Sequence, residues 1–443
     1  MNMQPLLNES IQQITGQLQN WRRDFHHFAE SGWFEFRTAT IVADELHRLG
    51  YSLKMGKEVI KAEARMGLPS VQALQEQEQR AIKQGALVQW LPHFSGGFTG
   101  IVATLDTGKA GPTLAFRVDM DALDLDEDQS HVHRPYTEDF SSCNAKMMHA
   151  CGHDGHTAIG LGLARILKQY EDQLTGKIKL IFQPAEEGTR GAKSMVEAGV
   201  VDDVDFFIAI HIGLGIPMGE LVCGNGSFLA TTKIDVIYRG VASHAGGKPE
   251  EGKNALLAAA QAALGLNAMP RHSKGISRIN VGVLQAGSGR NVIPDHALMK
   301  VETRGETNEI NEFIYDKALS IIEGAATMQD VEYEIQLMGA AQSSKPSPAW
   351  VDFIYQQVQQ HVPELSSVVK SGEQAMGSED ATYFMERVKA NGGQASYLVF
   401  GTELSAGHHH GQFDFNEDVL AIAVKTLATL TIHLPDFNTQ FNQ

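Results

Sequence analysis

The ten residues from 148 to 157, MHACGHDGHT, constrain this chain more than any other segment, because they bring one thiol and three imidazoles together. Only Gly152 separates Cys151 from His153, so both side chains can leave the same side of an extended or turning backbone. Thiolate and imidazole suit zinc, or manganese where carboxylates share the site, and the metal must displace the cysteine proton. A lone buried cysteine is usually an apolar filler, but this combination favours half of a metal site.

Residues of matching chemistry follow downstream. They are the adjacent carboxylates Glu186 and Glu187 in QPAEEG, His211 in the apolar run FFIAIHIG, and the triplet His408, His409 and His410. Of two adjacent carboxylates, one can coordinate a metal while the other faces a water molecule. The whole set predicts a two-metal hydrolase.

Apolar runs bounded by turn-forming residues predict strands near residues 100–106, 112–123, 177–187 and 205–213. Helical patterns at 156–170 and 192–198 separate the later runs, and this alternation indicates an α/β fold with a largely parallel sheet. Ligands in such folds gather beyond the carboxyl ends of the strands. Asp119 and Asp121 close one predicted strand, Glu186 closes another and His211 a third, so we expect one shared site there.

A chain of 443 residues exceeds what one core comfortably fills, so two domains are expected. Between residues 230 and 341 the pattern predicts a β-α-β-β-α-β order, which is a ferredoxin-like layout. We therefore predict a discontinuous catalytic metal-binding domain at 1–229 and 342–443, and an inserted dimerisation or lid domain at 230–341.

Composition narrows the partners and the compartment. A formal net charge of −17 speaks against nucleic acid or an anionic membrane surface as a partner. Three cysteines, Cys143, Cys151 and Cys223, form no disulfide framework and indicate a reducing compartment, most simply the cytoplasm. The first 25 residues contain no signal-peptide core, and the apolar helical stretch near 255–269 is too short to cross a bilayer. We expect no membrane association.

The motifs together resemble a known family. From residue 21 to about 415 they run in that family's order: WRRDFHHFAESGWFEFRTA, FRVDMDAL, MHACGHDGHTA, FQPAEEGTRGA, HIGLGIPMG, SHAGGKPEEGKNAL, GSGRNVIPD, KVETRG, GSED and GHHHGQFDF. The chain resembles the aminoacylase and carboxypeptidase family of metal-dependent amidohydrolases, in the branch of hippurate and indoleacetyl-amino-acid hydrolases. The resemblance implies a mostly parallel-sheet, two-metal peptidase-like catalytic domain with an inserted ferredoxin-like α+β dimerisation or lid domain.

The resemblance also assigns the metal site. It implies five metal ligands, Cys151, His153, Glu187, His211 and His409, with Glu186 as the general base. His409 is chosen from the triplet because it stands four residues before Phe413, where the family places a single histidine ahead of FDF. The implied cofactors are two divalent metal ions, with manganese favoured and zinc as the alternative.

Four further residues take catalytic or substrate-binding roles by the same resemblance. His244 in SHAG matches a histidine that supports the tetrahedral oxyanion and contacts substrate, frequently in the neighbouring subunit. Arg290 and Asn291 match the pair that binds the substrate carboxylate. Asp119 is expected to orient the site rather than bind metal, because Arg117 stands where other branches carry a metal-ligating histidine.

For the substrate, the resemblance implies an N-acyl amino acid, with p-aminobenzoyl-glutamate favoured as a folate breakdown product that is cleaved to p-aminobenzoate and glutamate. One alternative is hydrolysis of another, hippurate-like N-acyl amino acid. The other is a non-catalytic metal-binding subunit that supports a partner chain, which the intact Glu186 argues against.

Assembly is the remaining expectation. The family implies a dimer, either a homodimer or a heterodimer with a related B subunit. The charged, Gln-rich stretch at 54–92 is largely absent from typical single-chain relatives. It is either a solvated helical excursion or a segment that binds a partner or shapes the pocket.

Overall fold

The computed structural model describes residues 4–226, 228–372 and 377–441. The strands are β1 (Ser52–Met55), β2 (Ile101–Asp106), β3 (Thr113–Asp119), β4 (Lys177–Gln183), β5 (Phe206–Ile212), β6 (Glu220–Val222), β7 (Ala230–Arg239), β8 (Ser277–Ala286), β9 (His296–Gly305), β10 (Glu332–Ala341), β11 (Ser367–Val369) and β12 (Gln394–Phe400). The helices are α1 (Gln4–His27), α2 (Phe36–Arg48), α3 (Val71–Lys83), α4 (Leu91–Phe94), α5 (Arg134–Thr137), α6 (His153–Gln169), α7 (Ala192–Glu197), α8 (Ala255–Ala268), α9 (Asn308–Gln329), α10 (Pro348–His361), α11 (Thr382–Ala390) and α12 (Asp418–Phe441).

The larger sheet has eight strands in the order β1-β2-β4-β3-β5-β12-β6-β11. Its four central strands, β4, β3, β5 and β12, are parallel to one another, whereas β1, β2 and β6 add antiparallel pairings toward the edges. Every residue of β3 and β5 is buried, which is typical of parallel strands covered on both faces by helices. The predicted α/β peptidase-like fold class is confirmed, with antiparallel pairings outside the parallel centre.

The parallel centre aligns the carboxyl ends of its strands at one edge. Strand β3 ends at Asp119, β4 ends three residues before Glu186, and β5 contains His211. In the sheet register Asp119 is paired with Gln183, and His211 with Val399 of β12. Segments far apart in sequence therefore reach the same edge of the sheet, as the placement of polar residues after the strands predicts.

Helix α6 starts at the metal-motif histidine because of a glycine. Gly152 caps the helix with φ +93°, and a Cβ on it would lie 2.8 Å from the Ile212 side chain. Only glycine adopts this left-handed geometry without strain. The turn places Cys151 just before the helix and His153 as its first residue.

The smaller sheet has the order β10-β7-β9-β8, and all its pairings are antiparallel. Helices α8 and α9 cover one face, where Ile234, Val236 and Tyr238 of β7 enter a second hydrophobic core. The β-α-β-β-α-β order is the one expected for residues 230–341. The domain boundaries and the dimerisation or lid role stay predictions.

The stretch at 54–92 is folded onto the larger sheet's domain. Leu74 and Ala81 of α3 are buried, although Val71 is 72 % exposed. Arg80 donates a hydrogen bond of 2.9 Å to Glu30, and the Trp33 indole donates one to the carbonyl oxygen of Met66. Only the outer face of α3 is therefore exposed to solvent, and the inner face packs against the domain.

Among the described residues, one helix segment, Asp418–Phe437, has the length and hydropathy of a membrane span. It is longer than the 255–269 stretch singled out from the sequence. However, 67 % of its 18-residue apolar window is buried inside the protein, where the helix joins the core beside α1, α6 and α10. Such burial is typical of a core helix.

Candidate active site

The five predicted metal ligands converge at the carboxyl edge of the larger sheet. Two groups of three have ligand atoms that all lie within 4.8 Å of one another: Cys151, His153 and His211, and Cys151, Glu187 and His409. Within these groups Cys151 Sγ lies 3.4 Å from His211 Nε2, and His409 Nε2 lies 3.5 Å from Glu187 Oε1. Cys151 belongs to both groups, so one thiol stands between two candidate cation positions.

The unpaired atoms of this cluster fit a metal. His153 Nε2 and Glu187 Oε1 are buried and have no hydrogen-bond partner among the described residues. Buried polar atoms are rarely left unpaired in folded proteins. A donor set of thiolate, imidazole and carboxylate suits zinc and manganese, and bound cations would satisfy both atoms.

Hydrogen bonds on the far side of each imidazole fix its orientation. His153 Nδ1 lies 2.8 Å from the carbonyl oxygen of Asp121, and His211 Nδ1 lies 2.7 Å from that of Ile212. A carbonyl only accepts, so both Nδ1 atoms carry the proton. The two Nε2 lone pairs are therefore free to face the cluster, as in metal-ligating histidines generally.

Asp121 holds the two carboxylate residues in place. The backbone N–H groups of Glu186 and Glu187 each donate a 2.9 Å hydrogen bond to the Asp121 carboxylate, one to each oxygen. The turn that makes this possible includes Ala185 at φ +51°. Sequence reasoning places Asp121 at a strand end but assigns it no role, and the alternating Asp-Met-Asp at the end of β3 is the available signal.

Asp119 lies beside the cluster and orients its neighbours. Its carboxylate bonds His156 Nδ1 at 2.6 Å, accepts from Arg117 at 2.7 Å, and lies 3.7 Å from His153 Nε2. Burial disfavours its charged form, but His153, Arg117 and His156 outweigh burial and hold the pKa of Asp119 well below its usual range. Asp119, His153 and His156 also form a group with ligand atoms within 4.8 Å, so Asp119 is within reach of a cation as well.

Glu186 is the carboxylate outside the predicted ligand set, although one of its oxygens also lies within 4.8 Å of ligand atoms of His153 and Glu187. It is 9 % exposed, and its pKa is raised well above the usual value, chiefly by burial and then by repulsion from Glu379, Glu187 and Asp380. A buried carboxylate with a raised pKa next to a metal site has the properties of a general base.

A second carboxylate cluster lies behind Glu186, in the GSED segment. Glu186, Glu379 and Asp380 have oxygens within 4.8 Å of one another. Arg117 donates to Glu379 at 3.0 Å and to Asp380 at 3.2 Å. Burial, opposed by Arg117 and reinforced by Glu379, raises the pKa of Asp380 to about 7. Arg117 thus offsets the negative charge of the acidic residues beside Glu186.

The three histidines of the triplet make different contacts. His409 is the member that reaches Glu187, and its proximity to Cys151 and Glu187 raises its pKa to about 10. His408 Nε2 lies 3.3 Å from the carbonyl oxygen of Ile212, and His410 Nδ1 accepts a hydrogen bond from the Gln412 N–H. This geometry favours His409 as the ligand from the triplet.

His244, Arg290 and Asn291 lie elsewhere, on the smaller sheet's domain. They are exposed and lie close to one another, because the Ala245 N–H donates to the Asn291 carbonyl and His244 pairs with Val292. None of the candidate metal groups found among the described residues includes them. The structure therefore brings the predicted substrate-binding residues together, on the domain that does not carry the predicted metal ligands.

The fold and this cluster define a class, namely a metal-dependent hydrolase of amide bonds whose catalytic domain has an α/β fold. The chain belongs to the peptidase family M20/M25/M40, whose sequence profile matches residues 115–433. This confirms the expected family and its metal-dependent amide hydrolysis.

Several relatives are similar over nearly the full chain. The chain is 62 % identical over 431 residues to the indole-3-acetyl-aspartic acid hydrolase of Enterobacter agglomerans, covering 97 % of this chain and 99 % of the relative. It is also 62 % identical over 429 residues to the A subunit of p-aminobenzoyl-glutamate hydrolase from Escherichia coli strain K12, with coverages of 97 % and 98 %.

Among solved structures, the crystal structure of the aminobenzoyl-glutamate utilization protein from Klebsiella pneumoniae superposes with a TM-score of 0.85 at 55 % identity. It covers 96 % of this chain and 98 % of that one. Within the family, the chain therefore resembles the A subunit of bacterial p-aminobenzoyl-glutamate hydrolase, as we expect from its motifs.

Proposed function

We propose that the protein hydrolyses the amide bond of p-aminobenzoyl-glutamate and releases p-aminobenzoate and glutamate. The observation that carries the proposal is Glu186, a buried carboxylate outside the predicted ligand set with an oxygen within 4.8 Å of ligand atoms of His153 and Glu187. A purely structural metal has no use for it. The names of two similar proteins, one 62 % identical and one 55 % identical, supply the substrate.

Cys151, His153, Glu187, His211 and His409 would hold two divalent cations, with manganese favoured and zinc as the alternative. Support comes from the shared position of Cys151 and from the unpaired atoms of His153 and Glu187. When bound, such cations polarise an amide carbonyl and lower the pKa of water toward neutrality.

One residue of the chain transfers the proton, and two others hold the site in position. Glu186 takes the proton of the attacking water and delivers it to the departing amide nitrogen, a transfer that its raised pKa favours. Asp121 fixes the backbone of Glu186 through one hydrogen bond, and Asp119 orients His156. Neither needs to move during the reaction, so both preorganise the site.

His244 would donate a hydrogen bond to the tetrahedral oxyanion, and Arg290 and Asn291 would bind the α-carboxylate of the amino acid. All three are exposed on the smaller sheet's domain, which suits residues that complete the site of a neighbouring protomer. We therefore propose a dimer, either of two identical chains or with a related B subunit. One relative is named as the A subunit of its hydrolase, which supports a partner chain.

In the same proposal, residues 230–341 act as the dimerisation and lid domain on a catalytic domain of 1–229 and 342–443. Water exclusion on closure strengthens electrostatic interactions within the site. The protein would work in the cytoplasm, free of membranes and nucleic acid, as its acidic charge and three free cysteines suggest.

A second candidate substrate is indole-3-acetyl-aspartate. The relative named for that substrate is as similar to this chain as the relative named for p-aminobenzoyl-glutamate, at 62 % identity. Both candidates join an aromatic acyl group to a dicarboxylic amino acid. The chemistry at Glu186 is the same for both.

The test is release of p-aminobenzoate from p-aminobenzoyl-glutamate by the purified chain, with manganese or zinc, alongside indole-3-acetyl-aspartate. We expect metal-dependent turnover that Glu186→Gln lowers at least about a hundredfold while the bound metal is retained. Turnover by Glu186→Gln at the unsubstituted rate would contradict the assignment of the base. If the metal-loaded chain cleaves neither substrate, alone or with a B subunit, the proposed function is wrong.

A further inference from the structure

Lys233 lies on the open face of the smaller sheet. Along β7, Ile234, Val236 and Tyr238 point into the core under the helices, so Lys233 and Asp235 point to the opposite face. Residues directly across an antiparallel pair share a face. Lys233 is paired with Glu302 of β9 and with Gly339 of β10, and these three positions therefore face the same way.

That face lies against the catalytic loop. A Cβ built on Gly339 would lie 2.1 Å from the carbonyl oxygen of Gly188, the residue after Glu187, and the Ala340 N–H donates a 3.0 Å hydrogen bond to the Thr189 carbonyl. Lys233 is directly opposite Gly339 on β7, the strand next to β10 in the sheet. Lys233 therefore stands on the sheet face that packs against the turn after Glu187.

The ammonium of Lys233 has no hydrogen bond or ion pair with any residue that the structure describes. Glu302, directly opposite, is instead bonded by Arg304 at 3.0 Å and by the Thr231 hydroxyl at 3.3 Å. Burial, only partly opposed by Glu302 and Glu186, lowers the pKa of Lys233. The ammonium is therefore attracted by nearby carboxylates but committed to none of them by a hydrogen bond, so it is available to an incoming anion.

We propose that Lys233 binds the side-chain carboxylate of an acidic amino acid in the substrate, and so selects N-acyl glutamate and aspartate over neutral N-acyl amino acids. The inference rests on the proposed function, because it names the substrate class of the same site. Arg304 and Glu302 form the wall of this subsite. The two acidic conjugates for which the relatives are named fit it equally well, since both carry a second carboxylate.

The decisive comparison is between p-aminobenzoyl-glutamate and p-aminobenzoyl-glutamine, which have the same shape and differ in one charge. The unsubstituted protein should favour the glutamate conjugate. Lys233→Met should lower kcat/KM for that conjugate by about 10-fold to 100-fold, the range for a lost charge-assisted hydrogen bond, and change the glutamine conjugate less than about twofold. Lys233→Arg should restore part of the preference.

Lys300→Met is the matched control. Lys300 is an exposed lysine on the same sheet face, 3.8 Å from Asp235, and its loss should leave both substrates unaffected. Thermal unfolding separates binding from structure, because removal of an ammonium that makes no hydrogen bond should not lower Tm. An equal fall for both conjugates, or a lowered Tm with no change in preference, would overturn the inference.

A calorimetric titration distinguishes this failure from failure of the proposed function. Both conjugates are titrated into Glu186→Gln protein with and without Lys233→Met, so no turnover is needed. Tighter binding of the glutamate conjugate that disappears with Lys233→Met supports the subsite even if no hydrolysis is detected. Equal affinity for the two conjugates, or binding of neither, contradicts it.

Discussion

Arg22 Nε donates a hydrogen bond of 2.9 Å to Oδ2 of Asp154, the residue that follows His153, and both side chains are fully buried. The same guanidinium donates to Asp414 at 2.7 Å, five residues beyond His409. One side chain of α1 therefore joins the start of α6 to the loop of the histidine triplet. The two ends of the chain meet at the site through this contact.

Replacement of Arg22 should damage both stability and metal binding. Arg22→Met would leave Asp154 and Asp414 buried without their shared partner, and breaking a buried ion pair typically costs about 3–5 kcal/mol. We expect a loss of that order in urea unfolding, together with weaker metal binding measured by titration. Arg48→Met is the control, because the Arg48–Asp44 pair is largely exposed on the arginine side at 70 % and should contribute about 1 kcal/mol or less. Equal losses in the two variants would show that the contact has no special role.

The histidine triplet gives a second prediction. His409→Ala should remove one ligand, lower the bound metal by about one ion per chain and reduce turnover at least about a hundredfold, as loss of a metal ligand or its support does. His410→Ala should leave metal content and turnover unchanged, because its ring accepts only a local hydrogen bond from Gln412. Metal analysis after dialysis checks both. Loss of metal in the His410 variant with retention in the His409 variant would reverse the assignment.

Glu127 supplies a pH-dependent contribution to stability. It bonds His133 at 2.8 Å and His26 at 3.0 Å; although burial opposes ionisation, these two histidines lower its pKa from 4.5 to about 2. Because the folded-state pKa is below the unfolded value, the stabilisation is present above pH 4.5 and is lost as the pH falls toward 2. The linkage corresponds to about 3 kcal/mol at most.

Urea unfolding of wild-type and Glu127→Gln protein at about pH 7, 4.5 and 3 measures this contribution. The variant should be less stable at neutral pH, and the difference between the two proteins should shrink at the most acidic pH. Glu138→Gln serves as the control, since Glu138 is 44 % exposed. The stability difference between this variant and the wild type should not change with pH. A difference that stays constant with pH would show that Glu127 is not the group that titrates.

Much of the candidate site is predictable from residue type and spacing. These predict Cys151, His153 and His211 as ligands, and the single glycine between the first two matches the turn into α6. His409 is predicted from its triplet by the family resemblance, which places a single histidine four residues before Phe413. The central strands are equally clear, since β3 and β5 are continuous apolar runs buried on both faces.

What the sequence leaves out depends on how separate segments approach one another. In the sequence, Lys233 is an ordinary polar position of an alternating strand. Its place near the site depends on the contact between β10 and Gly188, which the sequence does not show. The antiparallel edges of the larger sheet arise from short strands such as β1 and β6 that carry no strong pattern. The role of Asp121 depends on a left-handed residue at Ala185, which no local signal marks, because alanine rarely adopts that conformation.

Asp121 therefore offers a test of positioning as distinct from chemistry. In Asp121→Asn one carboxylate oxygen is replaced by an amide NH₂ that faces the N–H of Glu186 or Glu187, and one buried donor loses its acceptor. Such a loss costs about 1–3 kcal/mol, and the displaced Glu186 should lower kcat about 10-fold to 100-fold with KM nearly unchanged. Steady-state kinetics with metal analysis checks this. If Asp121 were only a structural residue, the variant would lose stability while the molecules that remain folded and metal-loaded kept the original kcat.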